Sequence, residues 1–266
     1  MLLEVYNKVV HRVGWFHEEQ RKGSTLVEDE LKTINVDNWD VVFPDDLEIE
    51  VVGKRAFRKS SIESVVLPPT IKVIEEFAFN GCEKLKSITL PEGITKIDRY
   101  AFQGCYSLDK INLPSTIEEV GKNAFYSTIP ISLRGVDISQ WIGYGNIACR
   151  VFNRVVRALT KFDFNLSAPT EVKYQLMWDL YHNNPDDTGV CELLKRRKTN
   201  ILLWRIKEGD FDSIDKACKA DGIITQSNID KLLKTARENG KQEIFVTLLD
   251  YKNRNLEFQP PRLTLL

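Results

Sequence analysis

A block of 23 residues repeats through the middle of the chain and constrains the fold more than any other feature. One complete copy runs from Leu67 to Leu90 and the next from Leu90 to Leu113, while a third fades after Phe125. Each complete copy contains a Leu-Pro pair, an Ile-x-x-Ile pair, an Ala-Phe pair, a cysteine and a Leu-x-x-Ile-x-Leu stretch. A fixed period of this length is typical of a solenoid. The pattern therefore predicts stacked coils, and it contains no catalytic motif.

The spacing within one block indicates a short strand followed by a turn. Ile88 and Leu90 are two residues apart and point to one face of the strand, whereas Ser87 and Thr89 point to the other. Pro91 cannot donate a hydrogen bond to a neighbouring strand, so it ends the strand. The other apolar anchors fill the inside of the coil. Because one coil cannot bury its apolar surface alone, neighbouring coils must stack.

Degenerate copies extend the repeat towards the N-terminus. The pair Ala56 and Phe57 occupies the Ala-Phe position of an earlier block. Further back, Leu31–Val36 matches the strand stretch Leu85–Leu90, so it is the first predicted strand of the solenoid. The intervening stretch Asp37–Asp46 is then interpreted as an insertion.

The repeated residues resemble a known family. The block Leu-Pro-x-x-Ile-x-x-Ile-x-x-x-Ala-Phe-x-x-Cys-x-x-Leu is similar to the BspA-like leucine-rich repeat, over residues 31–135. The resemblance implies a bacterial, right-handed, strand-and-loop solenoid that contacts other proteins. Many members of that family are secreted or attached to a surface, but the composition of this chain indicates otherwise.

The composition predicts a protein of the reduced cytoplasm. The first eight residues include Glu4 and no unbroken apolar core, unlike a signal peptide. No run approaches the roughly 18 apolar residues of a membrane span. Five cysteines are an odd and sparse set for a secreted protein. Cys82 and Cys105 occupy one position of successive repeats, where we expect buried thiols, with a disulfide as the alternative.

The second half of the chain differs in charge and in periodicity. Residues 1–135 have 17 basic and 21 acidic side chains, whereas residues 136–266 have 20 and 17. The apolar residues of the segment 136–266 recur with the helical period of about 3.6, which predicts helix hairpins with short loops. The first predicted helix spans 147–162. The second is capped by Thr170 and ends at Asn183. The later ones are Val190–Arg197, Ile201–Lys207, Ser213–Lys219, Ser227–Asn239 and Gln242–Tyr251.

The stretch Ile223–Asn255 resembles the C-terminal helical region of some intracellular BspA-like proteins and, more weakly, a degenerate ankyrin repeat. Both resemblances imply packing and protein contact. We therefore predict an α+β protein, in which a leucine-rich-repeat strand-and-loop solenoid precedes an all-α helical-hairpin domain. The predicted divisions are an N-terminal cap (1–30), the solenoid (31–135), the helical domain (136–257) and an extended tail (258–266).

No group of residues in the sequence predicts catalysis. The three histidines are scattered, and the glycine-rich phosphate-binding motifs and Cys-x-x-Cys do not occur. Asp210, Asp212 and Asp215 lack the central glycine and the distal glutamate of a calcium loop, so we interpret them as acids at a helix N-terminus. We predict no enzyme activity, cofactor, metal site or small-molecule substrate.

Two surfaces are candidates for binding a partner. Stacking aligns outward strand residues into two columns across the sheet, and rigid sheets make good platforms. The predicted binding residues are Ser64, Val66, Ser87, Thr89, Lys110 and Asn112, with Thr33 and Asn35 at the N-terminal end of the columns. The alternative is that these are merely solvated strand residues.

The second candidate surface is basic. A stripe on the first predicted helix consists of Arg150, Arg154, Arg157 and Lys161, and Lys195–Lys198 is a block of four cations. Either could meet nucleic acid, anionic lipid or an acidic protein. The alternative is a solvated helix face, with the block in a C-terminal turn where cations suit the helix dipole.

We predict a non-catalytic cytoplasmic scaffold that binds an unidentified protein through the sheet face or the helical domain. One alternative is a surface adhesin exported without a recognisable signal. Another is binding of nucleic acid or an anionic surface through the basic stripe. A basic stripe on a chain of net charge −1 suits an acidic protein better than free DNA.

Overall fold

The computed structural model divides the chain into two compact units, Met1–Ser167 and Ala168–Leu266. It describes residues 2–6, 9–14, 32–35, 40–43, 48–126, 130–141, 145–166 and 168–256. The predicted extended tail at 258–266 lies outside these residues. None of the helices in the described ranges has the length and apolar character needed to span a bilayer.

The first unit is built from short strands. They are β1 (Leu2–Tyr6), β2 (Val9–Gly14), β3 (Lys32–Asn35), β4 (Asp40–Val42), β5 (Val51–Val52), β6 (Ser64–Val66), β7 (Val73–Ile74), β8 (Ser87–Thr89), β9 (Lys96–Ile97), β10 (Ile111–Leu113), β11 (Glu119–Val120), β12 (Ile131–Leu133) and β13 (Val136–Asp137). A 3-10 helix at Ser139–Trp141 and helix α1 (Gly145–Lys161) follow.

Successive coils stack in parallel, as the repeat predicts. One sheet has the order β11-β9-β7-β5-β2-β1-β3, and two smaller sheets have the orders β4-β6-β8 and β10-β12-β13. Within the first sheet, Val52, Ile74 and Ile97 pair across neighbouring coils, and all three are buried. This arrangement confirms the predicted solenoid with repeats of about 23 residues.

A column of stacked phenylalanine rings runs through the coils. The centroids of Phe57 and Phe79 are 4.8 Å apart, those of Phe79 and Phe102 are 5.1 Å apart, and those of Phe102 and Phe125 are 5.4 Å apart. Every ring of the column is buried and each pair is nearly parallel. The column forms because the period returns the phenylalanine of the Ala-Phe pair to the same slot in each coil.

The N-terminal part departs from the predicted alignment. Strand β3 lies where Leu31–Val36 was expected to open the solenoid, but it pairs antiparallel with β1. Strand β4, from the presumed insertion, instead pairs parallel with β6. Val41 and Phe43 explain the difference, because both are buried and fill inward positions of the coil. The predicted insertion is therefore wrong.

Strands β8 and β10 lie in successive coils but belong to different sheets, so strand pairing is interrupted between them. The coils remain adjacent there, since the N–H of Asp109 donates to the carbonyl of Lys86 at 3.3 Å. Ile88 and Leu90, expected inside the coil, are only half-buried. The outward face is consequently two platforms rather than the single sheet that the repeat predicts.

Helix α1 closes the C-terminal end of the first unit. The Phe152 ring lies 6.5 Å from that of Phe125, tilted by 50°, and so extends the phenylalanine column. The buried residues Val155, Val156 and Leu159 line the same helix. The division between units therefore lies after residue 167, whereas the change in composition placed the start of the helical domain at residue 136.

The second unit is helical. Its helices are α2 (Thr170–Asn183), α3 (Thr188–Glu208), α4 (Phe211–Lys219), α5 (Ile229–Glu238) and α6 (Gln242–Asn255). Pro169 rather than Thr170 occupies the N-cap position of α2. The two helices expected within 190–207 are one, because Leu194 and Ile201, two turns apart, are both buried and hold a continuous face.

Candidate interaction surfaces

The outward face of β4, β6 and β8 is an ordered array of small side chains. In register, Ser64 lies between Asp40 and Ser87, and its hydroxyl donates to Asp40 Oδ1 at 2.6 Å. The equivalent row is Val42, Val66 and Thr89. Asp40 and Val42 therefore hold the places that Thr33 and Asn35 were expected to fill, because β3 belongs to the other sheet.

Two neighbouring valines of this face lie in solvent. Val42 is 66% exposed and Val66 is 47% exposed, and they are partners in the parallel ladder. Thr89 continues the row and is also exposed. Neither valine is needed for the interior, which Val41 and Val65 fill. The pair forms an apolar centre on a face of otherwise small polar groups.

Lys110 and Asn112 lie on the second platform. Asn112 is paired with Ser132 of β12, whose hydroxyl bonds to Asn112 Oδ1 at 2.6 Å. Lys110 precedes β10 and is exposed. The structure thus brings Ser64, Val66, Ser87 and Thr89 together in one sheet. It places Asn112 in another sheet and Lys110 directly before the first strand of that sheet.

The predicted basic stripe is an exposed face of α1. Arg150, Arg154, Arg157 and Lys161 are all exposed. Lys161 forms an ion pair with Glu118 at 3.1 Å. Within the described ranges the three arginines have no such partner, so their charges face solvent.

A pocket of about 460 Å³ adjoins the C-terminal end of α1. Its lining residues are Arg154, Arg157, Asp163, Asn165 and Leu166. The helix ends at Lys161, and the next residue, Phe162, has a φ of 56° that turns the chain back. The N–H of Asp163 then donates to the Arg157 carbonyl at 3.4 Å, and that of Asn165 donates to Asp163 Oδ1 at 3.2 Å.

Sequence reasoning found the two arginines of the pocket but not the other lining residues. Asp163, Asn165 and Leu166 belong to no repeat or helical period, and only the turn at Phe162 brings them beside α1. Arg134 fixes this turn from the solenoid side. Its guanidinium donates to the Leu159 carbonyl at 3.2 Å and lies 5.4 Å from the Phe162 ring centre.

The basic block of the second unit lies in the middle of α3, not in a C-terminal turn. The expected role at the helix dipole is therefore wrong. Lys195 pairs with Glu192 at 2.7 Å, and Lys198 donates to the Gly222 carbonyl at 2.6 Å. Arg196 and Arg197 are exposed.

The predicted acidic helix start is confirmed in detail at Asp210. Its carboxylate accepts hydrogen bonds from the Ser213 N–H at 3.0 Å and hydroxyl at 2.7 Å, and from Arg205 at 2.7 Å. Burial by itself raises the pKa of Asp210, but the bonds from Ser213 and the Arg205 charge outweigh it and lower the pKa. In the described part of the chain, no three metal-ligating side chains converge.

Cys82 and Cys105 are buried free thiols, as expected. The Cys82 thiol donates to the Phe57 carbonyl at 2.9 Å, and the Cys105 thiol donates to that of Phe79 at 3.1 Å. Burial raises the pKa of Cys105 to about 12, and burial together with Cys105 raises the pKa of Cys82 further. Both features disfavour the reactive thiolate in the folded protein.

Comparison with known proteins agrees with the repeat geometry. Residues 40–168 match the model of the BspA type leucine rich repeat region in six copies. The matched segment begins at Asp40, the first residue of β4, and includes α1. It stops at the start of the second unit, so the resemblance suggested for the C-terminal helices stays a prediction. No curated protein matches the chain.

Three solved leucine-rich repeat proteins are similar to part of the chain. The T. pallidum protein TpLRR is 26% identical over 41% of this chain and 59% of its own, with a TM-score of 0.33. A Bacteroides capillosus protein is 22% identical over 37% of this chain and 78% of its own, with a TM-score of 0.32. A Bacteroides ovatus protein is 27% identical over 35% and 29%, with a TM-score of 0.29. The match thus spans less than two thirds of the T. pallidum protein.

Proposed function

We propose that this protein is a non-catalytic interaction module whose β4-β6-β8 face binds a partner protein. The supporting observation is the exposed pair Val42 and Val66, set in register among small polar side chains. An apolar centre with a polar surround is the usual anatomy of a protein interface. Small side chains on a rigid sheet lose little conformational entropy and little hydration when a flat surface covers them.

We also propose that the protein acts in the reduced cytoplasm of a bacterium. The resemblance of the repeat to the BspA type supports the host, and the free, buried Cys82 and Cys105 support the compartment. Fractionation of the native host with an antibody to this chain checks both. Recovery in the culture medium or on the cell surface would instead favour an adhesin.

Paired substitutions test the sheet face. Ser87→Arg with Thr89→Arg places two long cations on it without touching the interior, since both residues are exposed. The matched control, Asn200→Arg with Gln226→Arg, adds the same charge at exposed positions of the second unit. Proteins that co-purify with the wild type should be lost from the first variant and kept by the control. Equal recovery from both variants would show that the partner does not bind this face.

A further inference from the structure

The pocket beside α1 has the chemistry of a site for an acidic ligand. Arg154 and Arg157 lie one helical turn apart, so their side chains neighbour each other on one face. Neither has an ion-pair partner within the described ranges, although both line the same cavity of about 460 Å³. A cavity of this size lies within the range of roughly 300–1,000 Å³ typical of ligand sites. Guanidinium groups bind carboxylates with charge-assisted hydrogen bonds.

The remaining lining residues restrict the ligand further. Asp163 has a carboxylate in the wall, which accepts the Asn165 N–H with one oxygen and leaves its other acceptor positions for a donor. Asn165 can also exchange hydrogen bonds with a peptide. A ligand that presents both a carboxylate and N–H groups therefore fits better than a simple anion.

The charge distribution also favours a protein ligand over a nucleic acid. The first unit contains 21 basic and 23 acidic residues, so the positive charge of the pocket is local. Single-stranded nucleic acid is held by a continuous basic groove with aromatic side chains on which bases stack. None of the described residues that line this pocket is aromatic.

We propose that this pocket binds an acidic segment of a partner protein, with a side-chain carboxylate against Arg154 and Arg157 and a peptide N–H against Asp163. The site lies apart from the β4-β6-β8 face and does not depend on the function proposed for it. Purified full-length chain suffices to test it, so the two proposals fail separately.

The probe is a fluorescein-labelled peptide of eight glutamates, and its binding is followed by fluorescence anisotropy. Arg154→Glu with Arg157→Glu should lower the affinity at least about tenfold, because like charges then face the ligand. The matched control, Arg196→Glu with Arg197→Glu, makes the same change of charge on the exposed block of the second unit and should retain the affinity. Equal losses of affinity in both variants would show that only the overall charge of the protein matters, and this would overturn the proposal.

Asp163→Asn provides a gain-of-binding test. It keeps an acceptor oxygen but removes the negative charge from the wall, so the octaglutamate should bind several-fold more tightly. An unchanged affinity contradicts the assigned position of Asp163. An eight-nucleotide oligothymidylate that binds more tightly than the peptide, and is lost with the same arginines, would identify a nucleic-acid site instead. Undetectable octaglutamate binding at low salt also overturns the proposal, while unchanged circular dichroism shows that each variant is folded.

Discussion

The side chain of Asn153 bonds both backbone polar groups of Val120. Its Oδ1 accepts the Val120 N–H at 2.8 Å and its Nδ2 donates to the Val120 carbonyl at 2.7 Å. Val120 belongs to β11, the last strand of the seven-stranded sheet. An open strand edge presents unpaired donors and acceptors that recruit other chains. The amide of α1 thus supplies the pair of bonds that a further coil would make.

Asn153→Leu should destabilise the first unit by about 1–3 kcal/mol, because two partly buried backbone groups lose their partners. It should also promote concentration-dependent association through the exposed edge of β11. Urea denaturation measures the first effect and sedimentation velocity the second. Asn153→Asp keeps the acceptor for the Val120 N–H but sets an oxygen against the Val120 carbonyl, so it should also destabilise the unit. A monomeric Leu variant of wild-type stability would show that this contact is dispensable.

Phe102→Ala should lower the free energy of unfolding by about 3–5 kcal/mol, because the ring is buried between two others of the column. The loss should spread to adjacent coils, since each coil is stabilised mainly by its neighbours. Hydrogen exchange should therefore accelerate at Phe79 and Phe125 as well. Phe102→Leu, which leaves a smaller void, is the control. An unchanged denaturation midpoint in the Ala variant would contradict the stacking.

Cys82 and Cys105 should resist alkylation until the protein unfolds, because burial raises the pKa of both thiols and hides them from reagents. In the unfolded chain the thiols ionise near their ordinary pKa of 9.0, whereas folded Cys105 ionises near 12. Their contribution to stability is therefore fully present below pH 9 and is lost as the pH rises towards 12. Thiol counting with and without denaturant measures reactivity, and a Cys82→Ala, Cys105→Ala variant should show a weaker alkaline loss. Rapid native labelling of both thiols would refute the assignment.

Asp210→Ala should cost the second unit about 3–5 kcal/mol, because Arg205, whose side chain is only 9% exposed, is left without its carboxylate. The pKa of Asp210 is lowered in the folded state, so its contribution is present above the ordinary value of 3.8 and is lost as the pH falls through the lower folded value. Thermal unfolding monitored from pH 6 to pH 2 measures both effects. Asp212→Ala, at an exposed neighbouring position, should change little. Similar losses in the two variants would argue against a special role for the Arg205 pair.

Most of the coil interior could be predicted because its anchors depend only on the period, although Ile88 and Leu90 are only half-buried. Phe79 and Phe102 share one slot whatever the rest of the chain does. The first coil could not be aligned in this way, since Lys32–Asn35 matches the repeated strand more closely than Asp40–Val42 does. Only the antiparallel pairing of the former with Leu2–Val5 decides between them. Such pairing depends on residues distant in sequence.

The two candidate sites also differ in how far the sequence could predict them. Ser64 and Ser87 could be placed on one outward face from strand alternation alone. The pocket could not be predicted, because it depends on a left-handed turn at Phe162, where a bulky residue is uncommon. Likewise, Thr199 and Asn200 favour a helix break locally, but the buried residues on either side carry α3 through them.

The phenylalanine column has a consequence for how such a chain can change length. Because Phe79 and Phe102 present the same ring at the same place, the coil between them has matching upper and lower surfaces. Duplication of those 23 codons would insert a complete extra turn while the residues at both ends keep their contacts. A duplication whose length is not close to a whole number of coils would shift the rings out of line. Evolution can therefore lengthen this molecule readily only by whole coils, through duplication of a coil in the middle of the stack.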